Sequence, residues 1–422
     1  MKKYRLFALV LVVSIMTTLL LPFQSLALEP PEFHGKNAIL VDANYDEVLY
    51  EVGGHDKVYP ASITKVMTAL LTLEAIESGK LTAQTQITAS ATAATIPKGS
   101  STANIKAGEV LTVEQLLYCL LLPSANEAAQ ILAETVGGDI DTFVGMMNDK
   151  AKELGCENTH FANPHGFHDP DHYTTPYDIT LFMKAAMEYD LFQKIVTSPN
   201  YTIPATNLSE QRTVRNTNAL TSNWTYTGYL YTPGTGGKTG STDEAGKCLV
   251  ETAKKGDTYL ISVVMGEPET ITLADGSEKV AQFYDTIQLL NWGFENFQRT
   301  VISEDSEVVA KVNVTLSTQS DQVMVRPSGS IARTLPKDVK VDEMEKVINL
   351  FNPVEKGQLL GTMRLLYQGE EYGTLDLIAD SSVERSELLY RLDRIQKFFQ
   401  NWWVKLLLVI VVVAVVALLL RI

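Results

Sequence analysis

Both ends of this chain are apolar runs that a water-soluble core cannot use, and they bracket everything else it can fold into. At the start, Lys2, Lys3 and Arg5 precede an apolar stretch that closes on the small residues Ser25 and Ala27 of "SLA". A basic start, an apolar middle and a small-residue end is the layout of a secretory signal peptide, so residues 1–27 read as a leader cut after Ala27. The body is then exported. At the other end, Leu406 to Leu420 is an unbroken run of 15 apolar residues between Lys405 and Arg421. A helix of that length reaches only ~22 Å against a hydrocarbon core of ~30 Å. Counting from Phe398 makes it long enough, with Trp402 and Trp403 at the interface and Lys405 reaching back toward the headgroups. Residues 404–422 therefore read as a C-terminal membrane anchor, a transmembrane helix, and 385–403 as an amphipathic connector. Arg391, Arg394, Lys397 and Lys405 outside run against the positive-inside bias, which export of the preceding domain overrides.

Between these ends there is chain for two or three folded units. Charged residues make up 20% and the formal net charge is −15, so the surface repels nucleic acid, and no basic stripe offsets it. Cys119, Cys156 and Cys248 are too few for a disulfide framework in an exported protein; Cys119 and Cys248 stand in apolar runs as small core residues.

"NAILVDANYDEVLYE" alternates apolar and polar residues about Asn44 to Asp46 and predicts a hairpin. Ser62 to Glu77 predicts a helix, with Pro60 before it and Ile63, Val66, Met67 and Leu70 at helical spacing. Thr112 to Val136 is helical but broken at Pro123 and Ser124, and helices follow over 139–154 and 176–197. "GKCLVETAKKGDTYLISVVMG" predicts two strands about Lys254 to Asp257, and "VAQFYDTIQLLNWGFENF" a helix. A sheet drawn from both ends of residues 28–298 and covered by the central helices makes one α/β domain. From Arg299 short alternating runs punctuated by Gly and Pro predict a small all-β unit over 299–384.

Within "YPASITKVMTALL", a lysine stands three residues behind a serine at a helix start, which puts Lys65 on the face of Ser62, about one turn away. A serine hydroxyl is a poor nucleophile until a base takes its proton, and Lys65 can be that base while its amine is neutral. The nearby free N–H groups favour an anionic intermediate. S-x-x-K alone is a weak signal. "PSAN", with Ser124 and Asn126 at the helix break, and "GGKTGST", Gly236 to Thr242 ahead of a strand, strengthen it by their order along the chain.

S-x-x-K, S-x-N and K-T-G in that order are what penicillin-binding proteins and related β-lactamases carry. The chain resembles that family, and within it the low-molecular-mass D-alanyl-D-alanine carboxypeptidases; "LLLPSANEAA", "NTHFANPHGFHDPDHYTTPYDI" and "GGKTGSTDEAGKCLV" look like that family's segments. The resemblance implies a transpeptidase-like α/β (α+β) catalytic domain with an antiparallel sheet flanked by helices. It implies Ser62 as acylated nucleophile, Lys65 as its base, Ser124 as proton carrier to the leaving group and Asn126 as positioner of the substrate amide. Lys238 would supply positive charge near Lys65 and the substrate carboxylate, while Thr239, Gly240 and Thr242 would align the peptide as an added strand. The Ser62 N–H and one near Thr242 would form the oxyanion hole. The implied substrate is the peptidoglycan stem peptide ending in D-Ala-D-Ala, and β-lactams would acylate the same serine; no cofactor is implied. One departure stands out: no basic residue follows "VVMG" before Lys279, where family members can carry an arginine, and Glu267 and Glu269 stand there instead. Thr239, Thr242 and Lys238 are left to recognise the carboxylate.

Three rival readings bear on the same residues. His160, His165, His168 and His172 lie close together with Asp169 and Asp171, a composition suited to zinc. Their spacing fits no helix-borne metal motif, so they are expected to form a structural loop beside the site. A β-lactamase would need a glutamate to activate water, and Glu157 is the only glutamate in that loop. A scaffold with a dead fold fits poorly with three complete motifs.

Overall fold

A computed structural model describes residues 29–96, 99–313, 322–350, 359–381 and 386–419; the leader read over residues 1–27 lies outside them. The chain forms two compact units, one ending at Asn296 and the other beginning at Phe297.

In the first unit, β1 (Asn37–Asp42) and β2 (Glu47–Val52) form the expected hairpin. The Asp42 carboxylate makes its turn by accepting the N–H groups of Asn44 and Tyr45 at 2.8 and 3.0 Å. A 3-10 turn, Ala61–Thr64, leads into α1 (Lys65–Glu77). The strands β3 (Gln86–Thr88) and β4 (Val110–Thr112) pair ahead of α2 (Val113–Leu121), which a Thr112–Gln115 capping box starts. The helices α3 (Asn126–Gly137) and α4 (Ile140–Glu153) follow. The helix expected over 176–197 is two, α5 (Pro176–Ala186) and α6 (Asp190–Val196). Tyr189 between them takes an extended backbone, and its hydroxyl donates to Glu77 at 2.9 Å, a tertiary tie that local sequence does not announce. After the hairpin of β5 (Asn200–Ile203) and β6 (Arg212–Arg215) come β7 (Gly234–Thr242), β8 (Gly246–Lys255) and β9 (Thr258–Glu267). The short pair β10 (Thr270–Thr272) and β11 (Glu278–Val280) then leads to α7 (Ala281–Asn296).

The main sheet runs β2-β1-β9-β8-β7 and is antiparallel throughout, so the N-terminal hairpin closes onto strands some two hundred residues later. Both faces are covered, which is why its central strands carry unbroken apolar runs, Ala38–Val41, Cys248–Val250 and Val263–Met265. Ile39, Val41, Val250, Ile261 and Val263 face the helical side; Leu40, Leu249, Leu260 and Val264 face α7. On the helical side α1 is the hub, buried around most of its circumference from Lys65 to Leu73. Its polar interior positions are satisfied, Thr68 donating to the Pro164 carbonyl at 2.6 Å and Thr72 to Thr68 at 2.8 Å. The strand β7 ends the sheet and has a neighbour on one side only.

Among its described residues the second unit is all-β up to residue 379 apart from one 3-10 turn. The strands β12 (Phe297–Ser303), β13 (Ala310–Asn313), β14 (Gln322–Pro327), β15 (Ile331–Pro336), β16 (Glu345–Leu350), β17 (Leu359–Tyr367) and β18 (Glu370–Ala379) follow in chain order. Five of them form a sheet, β13-β14-β18-β17-β16, and β12 pairs with β15. Gln368 and Gly369 join β17 to β18 with φ of +52° and +90°, the two left-handed residues of a tight hairpin turn. Val325, Leu360, Met363, Leu365 and Leu377 fill the core. The unit ends in α8 (Glu387–Gln400) and α9 (Trp402–Leu419). Among the described residues no single helix is long and apolar enough to cross a membrane; α8 and residues 402–416 pass that test only together, bent by 69°. Asn401 takes an extended backbone between them, so the helix does not run on from Phe398 as the sequence count supposed.

Several carboxyl groups of the main sheet are buried, among them those of Asp42, Glu251 and Glu267. Glu251 on β8 lies opposite Gly237 of β7, fully buried, and accepts from the Asn218 amide at 2.6 Å. Burial pushes its pKa up to about 8, so the folded state holds a proton that the unfolded state releases near 4.5. Stability is therefore lost as pH rises between those values. Glu251→Gln keeps the amide contact without the titration: the melting temperature of the wild type should fall relative to the variant between pH 5 and pH 8, and a pH-independent difference would contradict this assignment.

Candidate active site

The turn Ala61–Thr64 is a 3-10 helix, with 3.0 residues per turn, so residues three apart eclipse one another more closely than in an α-helix. Lys65, the first residue of α1, is thereby stacked behind Ser62, and its Nζ lies 2.9 Å from Ser62 Oγ. Lys65 is fully buried while Ser62 stays partly exposed, so the amine and the hydroxyl meet at the wall of the fold. Ala61 holds φ at +46°, a left-handed conformation that a residue with a Cβ adopts only when its surroundings impose it.

The histidine-rich loop supplies part of those surroundings. Asn163 accepts the N–H groups of His165 and Gly166 at 3.3 and 2.7 Å and donates its amide to Phe167 O at 2.9 Å, winding the loop tightly. The winding delivers the His165 carbonyl to Lys65 Nζ at 2.7 Å. It also presses Gly166, at φ +84°, against the turn; a Cβ there would sit 1.7 Å from the Ala61 carbonyl oxygen, so only glycine fits. The histidines serve separate neighbours: His160 Nδ1 meets Asp171 O at 2.6 Å, His168 rests on Tyr59, and His172 reaches Thr64. Among the described residues no three His, Cys, Asp or Glu side chains are grouped to hold a metal ion.

The edge strand β7 closes the other side. Gly240 lies against the turn so closely that a Cβ would be 3.0 Å from Pro60 O and 3.3 Å from the Ser62 nitrogen. A side chain there would crowd the Ser62 N–H. Lys238 points to the same side, is 1% exposed, and donates to the Thr239 carbonyl at 2.7 Å. Thr239 Oγ1 lies 2.6 Å from Thr217 Oγ1, and Thr242 Oγ1 accepts the Ala245 N–H at 3.0 Å in the turn to β8.

At the head of α3, Ser124 and Asn126 are both buried. Ser124 has φ +64° and a buried Oγ with no hydrogen-bond partner among the described residues. Glu127 beside them accepts from Thr102 Oγ1 and Ala103 N at 2.7 and 2.8 Å, holding that loop to the helix. No hydrogen bond among the described residues ties the Ser124 hydroxyl to Ser62 or Lys65; α3 bears on Lys65 through the charge of Glu127.

Electrostatics follow from two lysines buried in one place. Burial first, then the Lys238 charge, holds the Lys65 amine well below its ordinary value, with the Glu127 carboxylate pulling the other way. Burial alone pulls Lys238 down to about 7. Burial and a like charge thus both disfavour the ammonium form of Lys65, whose Nζ donates to His165 O at 2.7 Å and to Ser62 Oγ at 2.9 Å. Glu127 and Thr217 belong to no motif that was read from the sequence, and only tertiary contact reveals them. Where family members can carry an arginine, Glu267 is buried, with its pKa raised to about 9 by burial and by Asp285, and Glu269 lies 3.7 Å from Lys247.

Comparison with known proteins gives one answer at three levels. Residues 24–269 match the family model described as D-alanyl-D-alanine carboxypeptidase. The chain is 31% identical over 369 residues to the D-alanyl-D-alanine carboxypeptidase DacF of Bacillus subtilis, covering 85% of this chain and 88% of that one. It is 30% identical over 387 residues to DacC of Escherichia coli, covering 89% and 90%. Its fold is similar to the crystal structure of penicillin binding protein 5 from Haemophilus influenzae, with a TM-score of 0.68 at 26% identity over 85% of this chain and all of that one. With its antiparallel sheet, its eclipsed serine and lysine and these likenesses along most of its length, the chain belongs to the D-alanyl-D-alanine carboxypeptidase family of serine peptidases.

Proposed function

We propose that the protein removes the terminal D-alanine from peptidoglycan stem peptides ending in D-Ala-D-Ala, by way of an acyl-enzyme on Ser62. The observation that carries this reading is the 2.9 Å contact between Ser62 Oγ and a lysine amine whose pKa burial and a second lysine hold well below its ordinary value. The stem peptide lies along the free edge of β7 as an added strand, beside Thr239 and Thr242, with Asn126 on the amide. Lys238, Thr239, Thr242 and the newly found Thr217 receive the terminal carboxylate. Lys65 takes the Ser62 proton as Oγ attacks the penultimate carbonyl carbon, and the oxyanion is stabilised by the Ser62 N–H and an N–H of the β7 edge. Ser124, whose buried hydroxyl has no hydrogen-bond partner among the described residues, passes the proton on to the departing D-alanine nitrogen. The C–N bond breaks, and water then hydrolyses the ester, returning the proton to Lys65 and Ser62.

A β-lactam ring opened by the same attack stays on Ser62, because Glu157 is exposed and supplies no base for fast release. Mass spectrometry of protein exposed to penicillin should show one long-lived adduct, mapped to Ser62 and absent in Ser62→Ala, which should also release no D-alanine. An adduct elsewhere, or D-alanine release by the variant, would contradict the mechanism.

The reaction takes place outside the cytoplasm, where its substrate lies, and the C-terminal helices tether the protein to the membrane. Leu388, Leu392, Ile395 and Phe399 recur along one face of α8 and are exposed, as are Trp402 and Leu406 to Val413 of α9. Deleting residues 402–422 should move the protein from the membrane fraction to the soluble one; retention in the membrane fraction would refute this tether.

A further inference from the structure

We infer that His172 and Thr64 are positioning residues that aim the Ser62 N–H at the oxyanion, acting through the peptide bond between Ala61 and Ser62. The inference rests on the acyl-transfer reading of Ser62 given above. His172 is 2% exposed, and its Nδ1 accepts the Ala162 N–H at 3.0 Å, so in the neutral ring the proton sits on Nε2. Nε2–H then donates to Thr64 Oγ1 at 2.7 Å, which leaves the Thr64 O–H to donate to the Ala61 carbonyl at 2.8 Å. Each bond fixes the direction of the next, so the chain from Ala162 to Ala61 has one arrangement.

The end point matters because the Ala61 carbonyl and the Ser62 N–H share one peptide plane and point in opposite directions across it. Pinning the carbonyl aims the N–H. The carbonyl needs pinning, since Ala61 is held at φ +46° and would relax away without it. Gly166, packed against the same carbonyl oxygen, blocks the other escape. Burial keeps His172 unprotonated, its pKa falling to about 4, so the donor pattern persists at neutral pH.

An oxyanion donor acts on the transition state and hardly on the ground state, and this separates the proposal from a role in stability alone. Thr64→Val keeps the side chain's shape and replaces the hydroxyl with a methyl group, so both hydrogen bonds of Oγ1 are lost. Its acylation by penicillin should slow by about tenfold to a hundredfold, approaching the cost of losing one oxyanion donor. Its affinity for a peptidyl boronic acid, whose tetrahedral adduct carries an oxygen in the oxyanion position, should fall by a similar factor with KM nearly unchanged, while the melting temperature falls because the buried His172 Nε2–H and the Ala61 carbonyl lose their partner. Thr64→Ser restores the hydroxyl and should restore both. His172→Gln, with an amide oxygen for Ala162 and an N–H for Thr64, should stay close to wild type, whereas His172→Leu should lose what Thr64→Val loses. If Thr64→Val fails to fold, the two His172 variants carry the same comparison. Wild-type acylation in Thr64→Val or His172→Leu, or a rate loss with boronate affinity intact, overturns this proposal alone. A wild-type protein that penicillin does not acylate would overturn the acyl-transfer reading, and this proposal with it.

Discussion

Two lysine side chains, Lys65 and Lys238, lie fully buried in one region of the protein, and the rest of the site depends on the fact that they cannot both be charged there cheaply. A carboxylate paired to either would remove the conflict and keep both protonated. The fold instead gives them backbone carbonyls, His165 O for Lys65 and Thr239 O for Lys238. A carbonyl accepts from an amine whether or not it is charged, so the proton on Lys65 becomes dispensable. Glu127 acts on Lys65 through space, and its own hydrogen bonds go to Thr102 and Ala103.

Keeping two lysines dry takes a large scaffold, and each layer of the first unit contributes. The hub helix α1 brings Lys65 in from its first residue, surrounded by apolar neighbours along its length. The five-stranded sheet presents β7 as an edge, so that Lys238 is buried on one side of a strand whose other edge is free to pair. The loop about Asn163 closes the third side. At each seam a glycine allows the approach, Gly166 against Ala61 and Gly240 against Ser62, and at each a Cβ would meet backbone atoms. Ala61 and Ser124, at φ +46° and +64°, are two of the five non-glycine residues in the left-handed region among the described residues, and both lie at the candidate site.

Much of the architecture could be read from the sequence because its signals are local. The hairpin about Asn44, the helix break at Pro123 and the turn between β8 and β9 each carry turn residues where the structure turns. The 3-10 geometry at Ser62 was not legible, since four residues cannot distinguish a period of 3.0 from one of 3.6. The break near Tyr189 has no glycine or proline, and the bend at Asn401 interrupts what reads as one apolar run. Within the site, the serine and lysine could be read as a pair from their spacing. Thr217 and Glu127 could not, because a threonine meeting Thr239 across 22 positions and a glutamate acting through space leave no local pattern. The histidine cluster illustrates the same limit: its composition suggests a metal, while its contacts divide it among Lys65, Thr64 and Tyr59.

The central claim is that the Lys65 amine is neutral beside Ser62 in the resting protein. The most direct measurement is an NMR titration of the Lys65 side chain in protein carrying labelled lysine, assigned by Lys65→Arg and repeated in Lys238→Met. The account predicts titration well below 10.5 in the wild type and a shift upward once the neighbouring charge is gone. A Lys65 resonance that titrates at the ordinary lysine value, unmoved by the loss of Lys238, would contradict it.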